Sequence, residues 1–122
     1  MKFILGTKGK MTTVFTEDGR AYAATVINAA PAVVTQIKTA EGKEGYNAVQ
    51  IGALEKKESR VNKPQVGHAK MIGKGKALSV FRELRQRSGK LPEAELGASI
   101  DVSVFAQGDK VTVSAVSKGR GF

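Results

Sequence analysis

Short apolar runs, often β-branched and alternating with polar residues, recur along the chain between glycine, proline and charged turns. A period of two puts one row of side chains inward, so the pattern predicts strands and not long helices. Residues 3–5, 12–16, 22–28, 32–39 and 46–54 read this way. Asp18-Gly19 predicts a tight two-residue hairpin turn with positive φ, Pro31 breaks the chain after 22–28, and Glu41-Gly42-Lys43-Glu44-Gly45 forms a polar turn. In the fifth run Tyr46, Ala48 and Gln50 share one face and Asn47, Val49 and Ile51 the other, so that strand is covered on part of both faces. Strands this short and this close together point to an antiparallel barrel or sandwich.

From 55 to 76 the periodicity gives way to charge. Lys56, Lys57, Arg60, Lys63, Lys70, Lys74 and Lys76 face only Glu55 and Glu58. One helical turn fits within 64–73 before Gly73-Lys74-Gly75-Lys76 ends it. Residues 78–84 return to strand spacing, although Ala77, Leu78, Phe81, Leu84 and Arg85 also satisfy a helical period; a strand is the preferred reading. A polar loop is expected over 85–90, and strands over 99–105 and 110–116. The hairpin sequence Val14-Phe15-Thr16-Glu17-Asp18-Gly19-Arg20 has an echo in Val104-Phe105-Ala106-Gln107-Gly108-Asp109-Lys110. Two related halves of a pseudo-symmetric barrel, or a chance likeness of two turns, would each produce it.

Composition narrows the function. With 41% hydrophobic residues the 122-residue chain is one domain's worth and able to bury a core, a single domain over 1–122 with a basic excursion at about 55–76. No apolar run is long enough to span a bilayer, and Met1-Lys2-Phe3-Ile4-Leu5-Gly6 lacks the apolar region and cleavage site of a signal peptide. A cytoplasmic protein is expected, without a membrane partner. The absence of cysteine excludes disulfides, thiolate metal sites and cysteine nucleophiles. Lys and Arg number 20 against 11 Asp and Glu, a net charge of +9. That excess suits a polyanion, since each neutralised phosphate releases condensed counterions.

Catalytic and cofactor motifs fail one by one. Gly73-Lys74-Gly75-Lys76-Ala77 lacks the hydroxyl that a phosphate loop places on magnesium. A zinc site needs several ligands, and His68 stands alone; it reads as a loop residue that packs or touches RNA. No Gly-x-Ser-x-Gly elbow supports a triad, and Glu93 and Glu95 read as a solvated face. No cofactor, metal or catalytic residue is expected. The basic residues are different, because they cluster with glycines in segments read as loops. Glycine lets a backbone run close to a phosphate chain, and lysine or arginine there supplies the counter-charge. With two Tyr and five Phe, mostly at core-like positions, stacking platforms for single strands are sparse. Folded RNA, held through phosphates, 2′-hydroxyls and shape, is the better partner.

The order of motifs resembles a known family. The segment from Gly6-Thr7-Lys8-Gly9-Lys10-Met11-Thr12 to Phe15 and Asp18-Gly19 is similar to the opening of the third large-subunit ribosomal protein family of bacterial type, Gly-x-Lys-x-Gly-Met-Thr-x-x-Phe-x-x-Asp-Gly. Val26-Ile27 with Val33-Val34-Thr35-Gln36-Ile37-Lys38 resembles its next hairpin, and Gly45-Tyr46-Asn47-Ala48-Val49-Gln50 also matches. So do Arg60-Val61-Asn62-Lys63-Pro64 with Gly67-His68, Gly108-Asp109-Lys110-Val111, and Ser117-Lys118-Gly119-Arg120-Gly121-Phe122. Lys10 departs from the family, which has glycine there.

The resemblance implies an all-β fold, a small closed Greek-key β-barrel of translation-protein type with a basic loop or short-helix excursion. It implies a structural constituent of the large ribosomal subunit that binds large-subunit ribosomal RNA, beside neighbouring ribosomal proteins, and supports assembly. The expected RNA-binding residues are Lys8, Lys10, Lys56, Lys57, Arg60, Lys63, His68, Lys70, Lys74, Lys76, Lys118 and Arg120. The family's long extension and returning strands would follow Phe122, so its role near the peptidyl-transferase centre is not carried over. Three ways of meeting the open edges are then expected: closure within the chain, pairing with a second copy as a homodimer, or a fragment. An excised or engineered barrel without RNA is the alternative, and a small enzyme on a related barrel a third reading.

Overall fold

A computed structural model of the chain describes residues 2–70, 77–87 and 93–122. Six strands, one short α-helix and two 3-10 turns make up the described structure. Strands β1 (Thr7–Phe15) and β2 (Ala21–Asn28) form a two-stranded antiparallel sheet. Strands β3 (Ala32–Lys38), β4 (Ala48–Lys56), β5 (Ala77–Arg85) and β6 (Ser99–Ile100) form a second antiparallel sheet, in the order β5-β4-β3-β6. Helix α1 (Lys63–Lys70) packs against β5.

The expected strands at 22–28, 32–39, 46–54 and 78–84 are present within a residue or two, and the strand reading of 78–84 prevails over the helical one. The first hairpin is longer than expected. Its turn holds three residues, with the Gly19 amide donating to the Thr16 carbonyl at 2.9 Å and only Gly19 at positive φ, 78°. That is a type I turn closed by one left-handed residue, so Asp18 keeps a negative φ. Strand β1 also reaches back to Thr7, through a segment expected as a loop, because a bulge between Lys8 and Met11 absorbs one extra residue. Gly9 sits in that bulge, where a β-carbon would lie 2.9 Å from the Val26 carbonyl oxygen. Residues 3–5 form no strand; Phe3 and Leu5 pack as coil against the core.

The expected closed Greek-key barrel is not formed among the described residues. The hairpin makes no ladder with the four-stranded sheet, the expected strands at 3–5 and 110–116 are absent among the described residues, and that at 99–105 is cut to two residues. β6 ends at Ile100 because Asp101 turns the chain: its Oδ1 accepts the Ser103 amide at 2.8 Å and starts a 3-10 turn over Val102–Val104. Residues 110–116 keep their alternation, yet they lie exposed and have no neighbouring strand among the described residues. A strand needs a ladder, and alternation alone supplies only one side of it. The echo of the first hairpin is therefore a turn without flanking strands, with Gly108 at φ 90° and the Asp109 amide bonded to the Ala106 carbonyl.

The core lies on one face of the larger sheet. Val34, Val49 and Ile51 are fully buried there, with Ala32, Ala53 and Ile100 around them and Phe3, Leu5, Ile37, Ala94, Ala98 and Val104 at the margin. The chain exposes 9728 Å², against about 6,300 Å² for a compact protein of this mass. Part of the surplus is apolar: Met11, Val14, Phe15, Tyr22 and Ile27 of the hairpin are exposed, as are Val111 and Val113.

Candidate nucleic-acid interface

The opposite face of the larger sheet carries the polar chemistry. β3 bulges between Val34 and Gln36, so Val34 pairs with Ile51 and Gln36 with Gln50, leaving Thr35 as the extra residue. Thr35 and Gln36 consequently both leave the core side, and Lys38, opposite Ala48, shares the outer face with Gln50. Gly52 is the low point of this face. A β-carbon on it would lie 2.7 Å from Leu78 Cδ1, 2.9 Å from Thr35 Cγ2 and 3.1 Å from Phe81 Cε1. Only glycine lets those side chains close over β4.

Helix α1 is fastened here. Pro64 stands in its first turn, where a missing amide hydrogen costs nothing, and the Val66 amide donates to the Asn62 carbonyl. Ala69 is buried and His68 half-buried. His68 Nε2 lies 2.7 Å from Gln50 Oε1, which also accepts the Thr35 hydroxyl at 2.8 Å. An amide oxygen can only accept, so His68 carries its proton on Nε2. The His68 ring meets Phe81 edge-on at 5.3 Å. His68 is thus half-buried and packed between Gln50 and Phe81.

The remaining expected residues are all at the surface where described. Lys8 and Lys10 lie on β1 and Lys56 at the end of β4, so these three are on strands and not on the expected loops. Lys57 precedes the 3-10 turn Glu58–Arg60, Arg60 ends it, and Lys63 and Lys70 are the first and last residues of α1. The segment from Lys56 to Lys70 thus carries five exposed cations, Lys56, Lys57, Arg60, Lys63 and Lys70. Lys118 and Arg120 lie exposed beside Gly119 and Gly121, both at positive φ. Lys74 and Lys76 fall outside the described residues. None of the described basic residues in this set is held in an ion pair; the salt bridges among the described residues are Lys2–Asp109 and Lys38–Glu83.

One charged group escaped the sequence reading. Lys38 Nζ pairs with Glu83 Oε1, Tyr46 Oη donates to Glu83 Oε2 at 2.8 Å, and Lys38 Nζ also reaches Tyr46 Oη at 3.2 Å. Hydrogen bonding to Lys38 holds the Glu83 carboxyl below its ordinary range, and hydrogen bonding to Glu83 raises the Lys38 ammonium above its own. The Arg85 guanidinium carbon lies 4.9 Å from the Tyr46 ring centroid. Among the described residues no group of three or more His, Asp or Glu is placed to hold a metal ion, and no helix is long and apolar enough to cross a membrane.

No family model matches the chain. Individual relatives do, along nearly all of it. The large ribosomal subunit protein uL3 of Desulfatibacillum aliphaticivorans is 49% identical over 121 residues, covering 99% of this chain and 56% of that protein. Those of Carboxydothermus hydrogenoformans and Finegoldia magna are 48% and 49% identical over 99% of this chain. The chain belongs to the uL3 family. It spans little more than half the length of the curated uL3 relatives it matches, 56% in each of these three. The resemblance drawn from the ordered motifs thus extends, as uL3 identity, across both the hairpin and the sheet that carries α1.

Proposed function

We propose that this uL3 chain is a structural, non-catalytic constituent of the large ribosomal subunit in the cytoplasm, binding large-subunit ribosomal RNA beside neighbouring ribosomal proteins. The observation that carries the reading is the freedom of its cations. Lys8, Lys10, Lys56, Lys57, Arg60, Lys63, Lys70, Lys118 and Arg120 are exposed and, among the described residues, without carboxylate partners, in a chain of net charge +9. A cation left unpaired at the surface is available to a phosphate, and the segment from Lys56 to Lys70 offers several in succession. The glycines beside Lys118 and Arg120 give the backbone the close approach that folded RNA requires. Support for assembly follows from the same contacts, because phosphate neutralisation allows RNA segments to pack together.

We further infer one domain over 1–122, whose exposed apolar hairpin residues are suited to packing within the family's closed Greek-key barrel. Salt dependence tests the RNA reading. Affinity for large-subunit RNA falls steeply with salt, and reversing Lys74, Lys76 and Arg120 to Glu lowers both the affinity and the slope. Binding indifferent to salt and to those changes would overturn it.

A further inference from the structure

The outer face of the larger sheet holds a further cationic group, next to the place where α1 is fastened: Gln50, which meets His68, pairs with Glu83. Ala48 pairs with Lys38 on one side and with Arg85 on the other, so three adjacent strands bring these two cations into one row. Tyr46, two residues before Ala48, lies beside both, with Lys38 Nζ 5.5 Å and the Arg85 guanidinium 4.9 Å from its ring centroid. The carboxylate two residues before Arg85 on the same strand is already engaged: Glu83 accepts from Lys38 through one oxygen and from Tyr46 through the other. Arg85 is left exposed, its side chain without a hydrogen bond or ion pair among the described residues, but held against an aromatic ring. Arg87 follows it at the surface.

We propose that Arg85, supported on Tyr46 while Lys38 and Tyr46 occupy Glu83, is a further phosphate-binding residue of the chain's RNA-contacting surface. This rests on the RNA-binding reading above and assigns a further site to it. The physical case is one of preorganisation. A guanidinium near an aromatic face loses rotamer freedom before it meets its ligand, and its planar fork of N–H donors fits a phosphate through two bonds. Were Glu83 free, it would neutralise Arg85; Tyr46 and Lys38 together prevent that. Lysine at this position would keep the charge and lose the fork.

The test measures binding of the full chain to a large-subunit ribosomal RNA transcript across 50–200 mM salt. Arg85→Ala makes the salt slope shallower by about one, as the loss of one phosphate contact requires. Arg85→Lys keeps the slope and loses several-fold in affinity. Arg20→Ala, at the hairpin turn, is the control for net charge and leaves the slope unchanged. If Arg85→Ala leaves slope and affinity intact while wild type binds in a salt-dependent way, the Arg85 site is wrong and the RNA reading stands. If Arg20→Ala has an equal effect, net charge explains the result and the site falls. Wild type without salt-dependent binding would remove both.

Discussion

Replacing His68 separates the fastening of α1 from the charge it carries. His68→Leu removes the Nε2 hydrogen bond to Gln50 and the edge-on contact with Phe81. A hydrogen bond of this kind contributes about 0.5–1.5 kcal/mol, and an aromatic pair about as much again beyond its buried area. No acceptor is orphaned, because Gln50 Oε1 keeps the Thr35 hydroxyl. The expected loss is therefore about 1–3 kcal/mol, a visible fraction of the roughly 5–15 kcal/mol typical of a domain. Urea unfolding reads it as a lower midpoint at unchanged slope. His68→Gln is the informative partner, since its amide nitrogen can take the place of Nε2 and restore the bond to Gln50 without the ring. It is expected to recover about half of the loss. Affinity for RNA should follow the same order, because Lys63 and Lys70 stand at the two ends of this helix. Equal stability of His68→Leu and wild type would refute the fastening, and so would a glutamine variant no better than leucine.

Three further outcomes are expected. Gly52→Ala forces a β-carbon to within 2.7 Å of Leu78 and 2.9 Å of Thr35, an overpacking that costs about 1–3 kcal/mol in urea unfolding. The Lys38–Glu83 pair makes stability depend on pH at both extremes. Glu83 is held below its ordinary 4.5, so its contribution is complete above that value and is lost as pH falls through the lowered one. Lys38 is held above its ordinary 10.5, so its contribution persists below that value and is lost as pH rises through the raised one. Glu83→Gln should flatten both limbs of the unfolding midpoint plotted against pH. Reversing Lys56, Lys57, Arg60 and Lys63 together to Glu should weaken RNA binding more at 50 mM salt than at 200 mM, with circular dichroism unchanged.

The strands that follow from the sequence are those whose alternation and partners both lie nearby. Tyr22, Ala24 and Val26 on β2, or Val49, Ile51 and Ala53 on β4, declare their faces by spacing alone, and the neighbouring strand is one turn away. Residues 99–105 and 110–116 alternate equally well, but Asp101 diverts one and the other has no ladder. The extension of β1 to Thr7 was hidden because glycine and lysine there look like a loop until the bulge is seen. Exposed lysines were legible from charge and company. The group of Lys38, Tyr46 and Arg85 was not. Strict alternation from buried Val34 would carry Gln36 and Lys38 inward, and only the register across three strands reverses that. His68 was legible as a residue without metal partners, but its bond to Gln50 needed the helix to dock on β5.

The bulge at Thr35 also decides which changes of length the gene can absorb. Remove Thr35 and Val34 joins Gln36 in an unbroken ladder, with Ile37 still inside and Lys38 still outside. The loss is the Thr35 hydroxyl, which reaches the carbonyl and the side-chain oxygen of Gln50, and a methyl over Gly52. Remove Ile37 instead and Lys38 moves into its place opposite Val49, carrying an ammonium into the core. Within a strand of seven residues, one codon is nearly dispensable and its near neighbour is not.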